Sequence, residues 1–309
     1  MERQIHHSNT KQNYAKLTLK GFCMGAADIV PGVSGGTMAF ILGIYKELIE
    51  SISSFDAKVI KLISQMRIKD AMDHFSWQFL AAIGSGILIA ILSCAKILEW
   101  LLQNRPTFIW SFFFGLILAS VFIVARGLEK WSLPTLIAAL LGGFFTFFLV
   151  GMMPAKTPDT WWFLFFSGAI AICAMILPGI SGAFILVLIG KYHYILSAVN
   201  NREILTLFLV LAGAGAGLLT FVRLLKWLFN KYNDLTLAVL TGFLVGSLRK
   251  IWPWKSNTIP GTGNELAAAV QVNIMPSAWN TELIMAFLLI LTGFLIIFSM
   301  DYLANKKKY

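Results

Sequence analysis

The side chains best placed to do chemistry in this chain gather near its start, in Gly25-Ala-Ala-Asp-Ile-Val-Pro-Gly-Val-Ser-Gly-Gly-Thr37. Pro31 has no amide hydrogen and Gly32 tolerates backbone conformations closed to other residues, so the pair breaks a helix. Ser34 is then a natural N-cap for a new helix entered through Gly35, Gly36 and Thr37. A helix starting there aims free N–H groups and the positive end of its dipole at whatever precedes it, and an anion such as phosphate fits that arrangement. Asp28 is the one ionisable group in the stretch. It either accepts a proton or a cation, or caps backbone amides of its own turn.

The pattern recurs in Met175-Ile-Leu-Pro-Gly-Ile-Ser-Gly-Ala-Phe-Ile-Leu-Val-Leu-Ile-Gly-Lys-Tyr192. At an offset of 147, Pro31, Gly32, Ser34 and Gly35 fall on Pro178, Gly179, Ser181 and Gly182, and later Gly43 and Tyr45 fall on Gly190 and Tyr192. The match resumes at an offset of 127, where Ala95–Asn104 aligns with Val222–Lys231, placing Lys96 on Arg223 and Trp100 on Trp227. Two matches in the same order mark an internal duplication. Each motif is open to a plainer reading as a tight turn between packed helices, although two such turns at matching places favour a site. Lys96 and Arg223 either meet an anionic headgroup, each from its own leaflet, or snorkel to lipid phosphates.

Other chemistries lack their residues. The four histidines are dispersed without a His-Glu-x-x-His motif, no nucleophile–base set is evident, and no Gly-Lys-Ser/Thr follows the glycine-rich stretch. Cys23, Cys94 and Cys173 stand singly in apolar segments and read as small buried hydrophobes. No catalytic residue, metal or cofactor is expected.

The elements that must hold these residues are membrane helices. Of 309 residues 58% are hydrophobic and 13% charged, where a soluble protein carries about 25% charge. Uncharged runs at Trp77–Ala95, Thr107–Ala125, Leu133–Ala155, Ile204–Val222 and Leu283–Met300 have the length to cross a bilayer core of about 30 Å, and a shorter run at Leu235–Leu248 can extend through Arg249 and Lys250. Tryptophans such as Trp77, Trp131, Trp161 and Trp279 lie at segment ends, as an interfacial belt requires. Leu17–Val30 and Ser34–Tyr45 are each too short to cross, so they form a hairpin that enters and returns on one side.

With three spans per half, the second half must be upside down. The predicted fold is therefore an all-α polytopic membrane protein with an inverted-topology repeat, over 1–155 and 156–309, each half a re-entrant hairpin (about 17–50 and about 160–197) plus three spans. With the N-terminus inside, seventeen Lys and Arg fall on the cytoplasmic side against eight outside, which favours cytoplasmic N- and C-termini and accounts for the net charge of +10 without nucleic acid. The polar segment at about 53–74 reads as an amphipathic surface helix with Val59, Ile60, Leu62, Ile63 and Met66 dipping into lipid. The runs at Gly84–Gly86 and Ala212–Gly217 allow close helix approach. Inverted-repeat transporters place such helix breaks near the bilayer midplane to build a substrate site.

"GAADIVPGVSGGTMAFILGIYKELI" (Gly25–Ile49), with the later "LPGISGAFILVLIGKY", resembles the bacterial and archaeal polyprenyl-phosphate transporter family, and the resemblance covers essentially the whole chain. It implies a plasma-membrane translocase that returns undecaprenyl phosphate, or a related polyprenyl phosphate, from the outer to the inner leaflet for reuse in cell-envelope synthesis. The motif positions it carries over are Asp28, Pro31, Gly32, Ser34, Gly35, Gly36 and Thr37, then Pro178, Gly179, Ser181 and Gly182. The second motif departs at Met175, Ala183 and Phe184, so no role of Asp28 or Thr37 is symmetric. If Asp28 takes up a proton beside the phosphate, transport depends on pH. The rival readings are a secondary transporter of a small soluble anion, a membrane-embedded enzyme acting on polyprenyl phosphate, and a membrane scaffold.

Overall fold

The computed structural model describes residues 14–30, 32–258, 270–276 and 280–306. The first hairpin is α1 (Tyr14–Ile29) and α2 (Gly35–Ile41), followed by α3 (Tyr45–Ser53). α1 ends just ahead of Val30, whose place before a proline biases it away from helix. Gly32 then takes φ +88°, a left-handed conformation that favours glycine, and the chain turns back. Two short helices, α4 (Ala57–Ser64) and α5 (Ile68–His74), lead into α6 (Trp77–Asn104), α7 (Pro106–Arg126) and α8 (Leu133–Leu149).

The second series is α9 (Trp161–Ile176), α10 (Gly182–Leu188), α11 (Tyr192–Asn200), α12 (Ile204–Lys231) and α13 (Asn233–Ser247). An antiparallel ribbon of β1 (Lys255–Thr258) and β2 (Val270–Asn273) precedes α14 (Thr281–Lys306). The bounds of α1, α2 and α3 recur in α9, α10 and α11 at the 147-residue offset, and those of α6 recur in α12 at 127. Gly179 repeats the turn of Gly32 at φ +86°.

The packing repeats too. α1 lies along α6 and α9 along α12, while α7 lies along α14 and α13 along α8. The last helix of each series thus packs on the other series, which interlocks the two. Glycines permit the close approaches: a Cβ at Gly86 would overlap the Thr18 carbonyl, and one at Gly213 the Phe165 carbonyl. Gly84 and Gly215 face open space and do not share that role.

α6, α7, α12 and Thr281–Tyr302 of α14 are long and apolar enough to cross a membrane, and α10 and α11 form a further apolar pair bent by 106°. Leu140, Leu141 and Phe144 of α8, with Leu205, Phe208 and Leu211 of α12, are exposed. Apolar surface of that extent needs hydrocarbon as its solvent, so this is a multi-pass membrane protein.

Two sequence expectations change. The segment at about 53–74 is not one helix, because Met66 turns the chain with φ 54° between α4 and α5. Val59 and Leu62 bury themselves against Ala71, Phe55 and Phe75 instead of reaching lipid; Ile63 and Met66 stay exposed, and the Ile60 side chain is outside the described residues. The span expected to run to Ala155 stops at Leu149, since Gly151, Pro154 and Pro158 do not sustain helix. Residues 150–160 instead strap the second hairpin: the Ala155 N–H donates to the Leu188 carbonyl at 2.7 Å and Thr157 Oγ1 to that of Ile189 at 2.5 Å. Lys191, 1% exposed, closes the strap by donating to the Thr157 carbonyl at 2.9 Å and pairing with Asp159. Pro31, Trp279 and both chain ends, with His6 and His7, are outside the described residues.

Candidate functional site

The two hairpin tips meet. Ser34 is the N-cap of α2 and its Oγ accepts the Gly36 N–H at 3.1 Å. The same hydroxyl donates across the interface to the Met175 carbonyl at 2.8 Å, with that of Leu177 next at 3.3 Å. Thr37 Oγ1 accepts the Gly179 N–H at 2.9 Å, and the Tyr45 hydroxyl donates to the Ile176 carbonyl at 3.2 Å. The last carbonyls of α9 would otherwise lack partners, as helix C-termini do, and the first hairpin supplies them. Gly36 is required at the contact, because a Cβ there would overlap the Ile176 carbonyl.

This seam is closed. Ser34 and Thr37 are each 1% exposed, and Gly32, Gly35, Gly36, Pro178, Gly179, Ser181 and Gly182 are buried with them. The amides expected to face an anion are instead taken by the protein. Asp28 Oδ1 accepts the Gly35 N–H at 2.6 Å, the Ser34 carbonyl accepts that of Thr37 at 2.9 Å, and Ser181 Oγ accepts that of Phe184 at 3.5 Å. Buried N–H groups must be satisfied, and here the protein's own oxygens satisfy them. Asp28 thus acts here as the cap of its own turn. The seam is also asymmetric: Ser34 bridges the hairpins, whereas the bond of Ser181 stays within its own.

Arg223 is not at the tips. It stands with Lys226, Trp227, Asn230 and Lys231 of α12, and Ser53 of α3, around a basic cleft of about 430 Å³. Arg223 donates to the Phe55 carbonyl at 3.3 Å, Lys226 to Ser53 Oγ at 3.1 Å, and Lys231 lies over the Trp227 and Tyr232 rings. Among the described residues, no carboxylate lines this cleft. On the opposite, inward face of α12, an apolar cleft of about 370 Å³ runs between Phe221, Leu225, Leu228 and Tyr232 on one side and Val239 and Phe243 of α13 on the other. It reaches Leu177, at the seam. Lys96, the sequence counterpart of Arg223, is exposed on α6, and among the described residues no hydrogen bond ties it to the tips.

Two functional candidates escaped the sequence reading. After α13 the chain turns through Lys250, whose stem packs on Gly32 of the first tip and whose ammonium lies 4.6 Å from the centre of the Phe184 ring. Lys255 donates to the Lys250 carbonyl at 2.6 Å and sits 3.9 Å above the Trp110 ring. Burial, with the charge of Lys250 second, pushes the Lys255 ammonium down to about 7, and burial lowers Lys250 as well. The sequence reads Lys250 as the end of a short span and both lysines as outer charges; its one signal for them is their place beside Trp252 and Trp254.

A helical membrane protein built from duplicated broken hairpins, with a basic cleft on one face of α12 and an apolar cleft on the other, has the features of a transporter for an amphipathic anion. The chain belongs to the VCA0040-like family, described as undecaprenyl phosphate translocase-like, whose match covers residues 24–266. It is 40% identical to a polyprenyl-phosphate transporter of Vibrio cholerae over 302 residues, 95% of this chain and 98% of that one. It is 32% identical to a polyprenyl-phosphate transporter of Staphylococcus aureus over 255 residues, 76% of this chain and 85% of the relative. No solved structure matches it significantly.

Proposed function

We propose that this protein carries polyprenyl phosphate, undecaprenyl phosphate in the first instance, from the outer to the inner leaflet of the plasma membrane, as a transporter and not an enzyme. The observation that carries this reading is α12 itself, whose exposed face bears the basic cleft of Arg223, Lys226 and Lys231 while its inner face lines an apolar cleft that ends at the hairpin seam. A soluble anion has no use for the apolar half, whereas a lipid phosphate uses both. Moving a phosphate into hydrocarbon unaided is prohibitive, and paired cations and hydroxyls lower that barrier.

In this reading the two series, 1–155 and 156–309, are oppositely oriented, with both chain ends in the cytoplasm. α12 then ends on the inner side, where Arg223 and Lys226 receive the headgroup while the polyprenyl tail stays in the bilayer. The closed seam is the barrier between the two sides. Its opening releases the hydroxyls of Ser34, Thr37 and Ser181 and the amides of Gly35, Gly36 and Gly179 towards the passing phosphate, while Lys96 attracts headgroups outside.

The test is leaflet exchange of labelled undecaprenyl phosphate in proteoliposomes, with product analysis. Wild type should accelerate exchange of unchanged lipid, and Arg223→Ala combined with Lys226→Ala should slow it at least tenfold. Exchange no faster than in empty liposomes, with folded protein and with or without a proton gradient, would overturn the proposal, and a dephosphorylated product would revive the enzymatic reading.

A further inference from the structure

We infer that Lys250 and Lys255 form a second anion subsite, for a phosphate monoester, against the first hairpin tip and at the opposite end of α13 from the Arg223 cleft. The geometry places two ammonium groups in the same turn region without a carboxylate partner among the described residues: one rests on Phe184 and the other on Trp110. Arg249 beside them follows the same pattern, stacked on Phe147 at 4.3 Å and donating to its carbonyl at 2.8 Å. Aromatic faces and carbonyls attract cations but carry no net charge. The negative end of α13 offsets roughly half a charge, so two neighbouring ammonium groups remain in clear excess. Half-buried cations in excess call for an anion, and the phosphate monoester, with charge between about −1.5 and −2 at neutral pH, matches two lysines.

The position adds a purpose. Lys250 touches both hairpins, through Gly32 of the first and Phe184 of the second. An anion drawing its ammonium away from Phe184 therefore acts on the residue whose amide is held by Ser181. α13 has 15 residues and is about 22 Å long, with the Lys231 end of the first basic cleft by its start and Lys250 just past its end. The inference rests on the reading of the chain as a lipid-phosphate carrier, and it supplies that carrier with a docking site on the side opposite Arg223. The headgroup of a lipid and free phosphate share the required chemistry.

The experiment is direct binding to the full chain in lipid nanodiscs, with undecaprenyl phosphate and inorganic phosphate as separate probes. Wild type is compared with Lys250→Gln, Lys255→Gln and the charge-keeping Lys250→Arg and Lys255→Arg, and unfolding temperature is recorded for each. The expected result is at least a tenfold loss of undecaprenyl phosphate affinity in the glutamine variants, largely restored by arginine. Inorganic phosphate binding with the same lysine dependence also supports the subsite and marks free phosphate as a ligand. Unchanged affinity for both probes in folded glutamine variants overturns the inference. If a glutamine variant does not fold, competition decides: a Lys255→Arg protein with wild-type affinity for both probes at pH 6 and at pH 8.5 overturns it, because arginine must hold affinity at the higher pH where lysine loses it. Leaflet exchange by the wild type is measured separately, so a failed subsite and a failed carrier give different results.

Discussion

Ser34 and Ser181 occupy equivalent motif positions, yet the seam makes their removal unequal. Ser34→Ala deletes an N-cap, worth about 1 kcal/mol, and the bond to Met175, whose carbonyl is left in a buried seam at about 1 kcal/mol or more. The sum of about 2 kcal/mol shifts the balance between docked and undocked tips by roughly 30-fold. Ser181→Ala loses one long bond within its own hairpin, at the low end of the capping range, about 0.5 kcal/mol. Hydrogen exchange reads this directly. In Ser34→Ala the Gly36 and Gly179 amides should exchange about 30-fold faster, and in Ser181→Ala they should exchange within about threefold of wild type. Leaflet exchange in proteoliposomes should change with Ser34→Ala and change little with Ser181→Ala. Equal effects of the two substitutions on protection and on exchange would refute the asymmetric seam, because they would show that the tips do not dock through Ser34.

Thr37→Val keeps shape but leaves the Gly179 N–H without its acceptor, so it should cost about 1–3 kcal/mol in denaturant unfolding; combined with Ser34→Ala, the loss should fall short of the sum, since both substitutions open one contact. Asp28→Asn keeps an oxygen for the Gly35 N–H and should retain most seam protection in hydrogen exchange, whereas Asp28→Ala should lose it; if Asn is as damaging as Ala, the charge and not the cap is what matters. Phosphate affinity should fall as pH rises through about 7, because Lys255 is protonated below that value and neutral above it; Lys250 is the charged neighbour that acts on it, and among the described residues no carboxylate opposes the shift. A binding titration between pH 6 and 8.5 checks this, and Lys255→Arg should flatten the decline. In the strap, Asp159→Asn should destabilise more than Lys191→Met, because it leaves a buried cation behind while the reverse leaves an exposed carboxylate; matched unfolding curves decide it.

The duplication could be read in the sequence because its causes are local. Pro-Gly breaks, serine caps and left-handed glycines act within a few residues, so Gly32 and Gly179 turn the chain alike wherever the fold carries them. The inequality of Ser34 and Ser181 has no such signature. It depends on which carbonyls each hydroxyl meets, and the partners of Ser34 are backbone atoms of Met175 and Leu177, which any residue type would supply. The amphipathic segment failed for a related reason: Val59 and Leu62 suit a lipid-facing stripe, but a turn at Met66 folds Ala71 and Phe75 onto them.

Lys250 and Lys255 show where sequence reasoning reaches its limit. Charge counting sorts lysines by side of the membrane and treats those in connections as solvated. These two are half-buried because α7 brings Trp110 and α10 brings Phe184 to the end of α13, a meeting set by helix packing across long stretches of chain. Helix packing of this kind also takes α14 to α7 and α8 to α13, so that neither series is complete alone. A site that senses both hairpins can arise only where the two series interlock. That is why its cations lie outside both motifs, and why a search confined to the repeated residues passes over them.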